Sequence, residues 1–165
     1  MLSIRPATIT DVPVITDIYN HAILHSTATF DTEIKTLDDR IKWFNDHQPT
    51  HPVLVAEVEG KVIGFASLSR WSERCAYDGT AEVSVYIDHH HRGKGVGKKI
   101  LEILTLEGKK MGFHNLLSRI TEGNLSSIHI HELMGYEHIG VMKQAGKKFG
   151  KFLDVHLMQR VVGNE

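Results

Sequence analysis

The segment Arg92-Gly93-Lys94-Gly95-Val96-Gly97-Lys98 is where residue type and spacing speak most directly of chemistry. Its three glycines let a main chain come close to a ligand, and the first N–H groups of a helix starting there have no helical partners. The helix dipole favours an anion at that point by roughly 0.3–1 kcal/mol at exposed sites, and Arg92, Lys94 and Lys98 add positive charge around it. A pyrophosphate suits such a cradle. Two common nucleotide motifs do not fit. A phosphate-binding loop of the Walker type needs four residues between its glycines and then Lys followed by Ser or Thr, whereas Gly97 precedes Lys98-Lys99. The dinucleotide fingerprint needs G-x-G-x-x-G, and here the spacing is G-x-G-x-G.

The elements that must position this cradle follow from periodicity. Leu2 to Pro6 reads as a strand, and Thr10-Asp11 offers a cap for a helix with Val14, Ile15, Ile18, Tyr19 and Ala22 at helical spacing. Thr36, three residues before Asp39, resembles a capping box for a second helix carrying Leu37, Ile41 and Phe44. Val53–Val58 and Lys61–Leu68, joined at Glu59-Gly60, predict a hairpin. In Thr80–Ile87, Ala81, Val83, Val85 and Ile87 alternate with Glu82, Ser84 and Tyr86, which places Glu82 on the Tyr86 face of a strand. Gly95 to Lys110 is helical in spacing and Asn115 to Thr121 returns as a strand, so a parallel crossover is expected. A short helix over Leu125–Met134, closed at Gly135, and strands over Tyr136–Met142 and Phe152–Val161 complete an α+β order. The lysines from Lys143 to Lys151 read as a solvated turn.

Composition narrows the function classes. The 165 residues are 41% apolar and 24% charged, enough for one globular core, and neither repeat nor linker divides them; a single domain over residues 1–165 is expected. With 19 basic and 20 acidic residues the net charge is −1, so no global field recruits nucleic acid or an anionic membrane, and any anion site must be local. No apolar run is long enough to span a bilayer, and the first thirty residues lack the apolar core of a signal peptide. The lone Cys75 excludes an internal disulfide and fits a reducing compartment, so a soluble cytoplasmic protein is expected.

Arg92-x-x-Gly95-x-Gly97, after a strand and opening a helix, resembles the acetyl-CoA pyrophosphate motif of the GNAT superfamily of N-acetyltransferases, and the element order resembles that fold from end to end. Three further segments are similar to the phosphinothricin and methionine sulfoximine N-acetyltransferase branch: Thr80 to Ile87 running into His91-Arg92, Asn124 to Tyr136, and Gly150 to Val155. The resemblance implies a mixed sheet of about six to seven strands flanked by about four helices, acetyl-CoA as cosubstrate with no metal, and an amino-acid-like amine as acceptor. It further implies that Val85, Tyr86 and Ile87 lie on a diverging strand whose free backbone groups bind the pantetheine arm, and that Asn124 and Ser126 contact the cofactor. A homodimer is also suggested.

Acetyl transfer needs a base for the amine and a proton for the departing thiolate. Under the resemblance Glu82 is the candidate base, and His131 stands where many GNAT enzymes carry a tyrosine that protonates the thiolate; an imidazole serves as acid or base. For the acceptor, the loop Arg70 to Tyr77 is the lead. Arg70 or Arg74 would hold a carboxylate with Cys75, Ala76 and Tyr77 walling the pocket and Phe30 closing the far side. Two alternatives stay open: a protein N-terminus or polyamine as acceptor, and a module that binds acetyl-CoA without turnover. The run His89-His90-His91 lacks a carboxylate or thiolate at zinc-motif spacing and is not assigned a metal.

Overall fold

The computed structural model describes every residue from Met1 to Glu165. Its elements in chain order are β1 (Leu2–Pro6), α1 (Val12–His25), α2 (Leu37–His47), β2 (Val53–Val58), β3 (Lys61–Arg70), β4 (Thr80–Ile87), α3 (Val96–Lys110), β5 (Asn115–Thr121), α4 (Leu125–Leu133), β6 (Glu137–Lys148) and β7 (Lys151–Val161). The strands form one seven-stranded sheet in the order β1-β2-β3-β4-β5-β7-β6. Only the β4–β5 pair is parallel, and α3 is its crossover, so the expected α+β arrangement with a mixed sheet and four helices is what the chain adopts.

Alternation along the central strands builds a core on each side of this sheet. Val53 and Val55 of β2 and Phe65 of β3 pack with Ile15, Tyr19 and Ile23 of α1 and Phe44 of α2. Their neighbours Leu54, Ala56, Ala66 and Leu68 face the other way and pack with Ile100, Leu101 and Leu104 of α3. The rigid middle of the molecule is therefore the sheet between α1 and α3, and both ends of the cradle are fastened to it.

Local chemistry sets the element ends. Thr36 and Asp39 exchange hydrogen bonds at 3.1 and 3.0 Å, the reciprocal cap expected for α2. Glu59 and Gly60 both take positive φ, 51° and 77°, which a two-residue hairpin with native twist requires. The start of α1 differs from expectation. Thr8 and Asp11 bracket a single 3₁₀ turn, Ile9–Asp11, and the helix proper begins at Val12 with Pro13 in its first turn, where no N–H is needed.

The larger correction concerns Lys143–Lys151. The solvated turn there is only two residues long, and the rest of the segment is strand. The last two strands form a long ladder in which Gly146 faces Leu153, Lys147 faces Phe152 and Lys148 faces Lys151, and only Phe149-Gly150 turns, at φ 51° and 75°. Lysine content suggested solvation because periodicity carries no signal in a strand whose faces are both largely polar. Lys148 is in fact buried, and its Nζ donates 2.8 Å to the Thr29 carbonyl.

Candidate active site

The parallel pairing of β4 with β5 covers only Thr80 to Glu82 against Asn115 to Leu117. Beyond Glu82 the two strands part. On its other side β4 stays paired with β3 as far as Ile87, and the Asp88 N–H donates to the Ile63 carbonyl at 2.8 Å. Alternate residues of a strand bond to the same neighbour, so Tyr86 and Ser84 turn their main chain toward β3 while Val85 and Ile87 turn theirs into the gap. The side chain of Tyr86 packs edge-on against Tyr19, and burial pushes its hydroxyl up to about 12.

The glycine-rich cradle lies across this gap. Gly95 caps α3 in the left-handed region at φ 79°, and Gly93 is left-handed at φ 75°. A Cβ at either would meet nothing in the protein, so it is backbone conformation that calls for glycine there. None of the backbone N–H groups from Arg92 to Lys98 is engaged by the protein; the first helical bond runs from the Lys99 N–H to the Gly95 carbonyl at 3.1 Å. This is the donor set a pyrophosphate requires.

A cleft of about 650 Å³ joins the cradle to the splayed strand. Val85, Tyr86, Ile87, Arg92, Gly93, Gly95, Val96, Gly97, Lys98, Asn124 and Ser126 all border it. Of the residues read from the sequence as acetyl-CoA-binding, Lys94 alone stands outside, its side chain in solvent. Asn124 also caps α4, accepting the Ser127 N–H at 3.2 Å, so its structural and ligand-facing positions coexist.

A second cavity, of about 600 Å³, is lined by the parting ends of β4 and β5 and holds Glu82 and Phe30. The two cavities share Ala28, Val85, Tyr86, Asn124, Ser127 and His131 as a common wall. The loop carrying Phe30 is fixed from three directions. Thr121 Oγ1 donates to the Thr27 carbonyl at 2.7 Å, Lys148 holds Thr29, and Tyr19 binds both Thr29 and Asp31 through its hydroxyl. The Phe30 ring lies directly on Gly146, where a Cβ would come within 2.2 Å of it.

His131 is buried in the shared wall. Its Nδ1 lies 2.7 Å from the Ser127 carbonyl, which can only accept, so Nδ1 carries the hydrogen and Nε2 accepts from Ser118 Oγ at 2.8 Å. Burial holds the pKa of the ring below the usual imidazole value and favours this neutral form. Glu82 accepts two hydrogen bonds from one guanidinium, Arg119 Nε at 2.6 Å and Nη2 at 2.7 Å.

Of the loop expected to bind the acceptor, Trp71 lies beside the site, its ring 5.2 Å from the Arg119 guanidinium. Arg70, Arg74, Cys75, Ala76 and Tyr77 border neither cavity. Arg70 is spent on its own loop, donating to the Ser72 carbonyl at 2.9 Å and to Asp78 at 3.1 Å, while Cys75, Ala76 and Tyr77 form an exposed 3₁₀ turn. The physical reason is the hairpin register. β3 continues to Arg70 opposite Ala81, two residues longer than the apolar pattern shows, and carries the loop past the end of the sheet. Arg119 and Ser118 were missed by sequence reading. An arginine inside the apolar run of β5 was the available signal, and its meaning depends on the parallel register that sets β5 beside Glu82.

Outside both cavities, His21 stacks on His89 at 3.8 Å, and Asp88, His89 and His90 bring ligand atoms within 4.8 Å of one another. The two stacked rings are parallel to 1°, so their in-plane lone pairs do not converge.

A seven-stranded mixed sheet that splays beside a free amide cradle, with a second cavity sharing a wall with the first, defines an acetyl-CoA-dependent N-acetyltransferase. The chain belongs to the acetyltransferase (GNAT) family, whose pattern it matches over residues 16–136. It is 38% identical to the L-methionine sulfoximine/L-methionine sulfone acetyltransferase of Salmonella typhimurium, over 96% of this chain and 93% of that one. It is 39% identical to the phosphinothricin N-acetyltransferase of Streptomyces viridochromogenes, over 96% and 87%. Among solved structures, a phosphinothricin acetyltransferase from Sinorhizobium meliloti in complex with acetyl-CoA superposes with a TM-score of 0.96 at 34% identity, covering 99% of this chain and 89% of that one.

Proposed function

We propose that the acceptor is a free amino acid or a close analogue of the methionine sulfone, methionine sulfoximine or phosphinothricin kind, acetylated on its α-amine in a ternary complex with acetyl-CoA. The observation that carries this reading is the pair of cavities sharing one wall at Val85, Tyr86 and His131, with carboxylates Glu82 and Asp31 and the guanidinium of Arg119 lining the acceptor side. A small dipolar ion matches that charge set.

In this reading the amides from Gly93 to Lys98 hold the pyrophosphate, and the gap-facing N–H of Val85 or Ile87 polarises the thioester carbonyl as a donor already oriented. Glu82 takes the proton of the acceptor ammonium, because an α-amine with pKa near or above about 8 arrives charged at neutral pH. The neutral His131 positions Ser118 and the junction rather than acting as an imidazolium acid. The second proton lost by nitrogen passes to the leaving thiolate.

The exposed edge strand β6, with Ile139 and Met142 uncovered and Phe149 and Phe152 beyond them, supports a homodimer. The single exposed Cys75 is in keeping with a reducing cytoplasm. No helix is long and apolar enough to cross a membrane.

The test is thiol release from acetyl-CoA against a panel of amino acids, their amides, polyamines and peptides. Turnover with methionine sulfone and related amino acids is expected. Turnover with peptides or polyamines alone would overturn the reading.

A further inference from the structure

Glu82 does not stand free in the acceptor cavity. Both of its oxygens are taken side-on by Arg119, which reaches across from β5, and the guanidinium lies 5.2 Å from the Trp71 ring on its other side. Such a fork is the strongest pairing available to a carboxylate, and while it is closed neither oxygen is available to an incoming ammonium without competition. The two partners are unequally exposed. The Arg119 side chain is 51% accessible and that of Glu82 19%, so the arginine is the partner that an entering molecule meets first.

Arg119 is also the one guanidinium or ammonium lining this cavity. Lys148 is held against the Thr29 carbonyl, and Arg70 is tied to Ser72 and Asp78 away from the site. Two N–H groups of Arg119 face Glu82, and the remaining three are directed elsewhere, as the planar fork of five donors requires.

We infer that Arg119 is the specificity residue for the acceptor: it receives the carboxylate of the amino acid, and in doing so it releases Glu82 to act as base. This rests on the amino-acid reading above. An α-amino acid carries its two opposite charges on groups attached to one carbon, so a single molecule replaces both halves of the Glu82–Arg119 pair, carboxylate to Arg119 and ammonium to Glu82. One proton then moves from the ammonium to Glu82. The nitrogen lone pair forms the C–N bond at the acetyl carbonyl carbon, the C–S bond breaks with its electron pair on sulfur, and the second nitrogen-bound proton ends on that thiolate. Glu82 returns its proton to solvent and Arg119 closes on it again. An amine without a carboxylate must break the ion pair with nothing to offer Arg119, which makes the pair a filter against amides and simple amines.

The experiment compares kcat/KM for L-methionine sulfone with that for its primary amide, in the wild-type enzyme and in Arg119→Met and Arg119→Lys. The acid-to-amide ratio is expected to fall at least tenfold in Arg119→Met, through a raised KM for the acid and a raised kcat for the amide. Arg119→Lys, which keeps the charge but loses the fork, is expected to lie between. A loss that lowers both substrates in parallel, as mere structural damage would, or an unchanged ratio, overturns the inference. If the wild type acetylates the acid and the ratio does not move, the role of Arg119 alone falls. If the wild type acetylates neither compound while turning over peptides or polyamines, the amino-acid reading falls and this inference with it.

Discussion

Glu82 and His131 illustrate how little a residue's type says about its state. Glu82 is held by Arg119 in a charge-assisted fork, and His131 sits between a helix carbonyl and a serine hydroxyl where burial lowers its pKa. If Glu82 is the base, Glu82→Gln removes the proton acceptor while retaining a side chain that can still meet Arg119. Turnover is expected to fall by about 100-fold or more, the lower range for loss of general base catalysis, with acetyl-CoA affinity unchanged. Single-turnover kinetics with calorimetry on the same variant checks this, and a wild-type pH–rate profile would remove Glu82 from the role. The assignment of Glu82 to the Tyr86 face was legible because alternation is a local property. Its partner was not, since Arg119 lies 37 residues away on a strand whose register only the crossover decides.

At the scale of elements, the site is made by one strand leaving its neighbour and one helix starting on glycine. β4 has donors to spare because β5 abandons it after Glu82, and α3 has donors to spare because every helix does at its first turn. Gly95→Val places a β-branched side chain at φ 79°, in the cradle proposed to hold the cosubstrate's phosphates. At least a tenfold loss of acetyl-CoA affinity is expected on the order of a 1.4 kcal/mol penalty, read by calorimetry, with the far-ultraviolet signature of the fold retained. Undiminished affinity would show that the cradle is not where the diphosphate sits. The glycine spacing revealed this element because the motif is continuous in sequence. The acceptor residues divide for the opposite reason: Arg70, Arg74 and Tyr77 had fitting chemistry but the register of β3 leaves them bordering neither cavity, whereas Phe30, also read from the sequence, lines one of them and rests on Gly146.

Over the whole molecule, the histidines whose pKa departs from the ordinary value, His21, His47, His51 and His131, are all shifted downward, with loss of hydration the leading cause. His47 repeats the arrangement of His131, with Nδ1 on the carbonyl four residues back in its helix at 2.7 Å and Nε2 on a sheet serine, Ser69, at 2.9 Å. A depressed pKa means that the unfolded chain binds protons before the folded one does. Stability is therefore fully present above pH 6.5, the unfolded value, and lost as pH falls toward the lower folded values. Each such imidazole contributes a slope of at most about 1.4 kcal/mol per pH unit. Urea unfolding at pH 7.5 and 5.5 is expected to show a loss on the order of 1–2 kcal/mol, smaller in His47→Gln, and equal stability at the two values would contradict it.

Local pattern is enough to specify the order of strands and helices, the capping of α2, the hairpin turn at Glu59-Gly60 and the free amides of Arg92 to Lys98, since each depends on residues within one or two turns of chain. Long-range packing set which charge faces Glu82, that Arg70 and Arg74 border neither cavity, that Lys148 is buried, and that burial lowers the His131 pKa. Those outcomes depend on the register of strands far apart in sequence and on the water excluded when they pair, and neither is written in any local pattern.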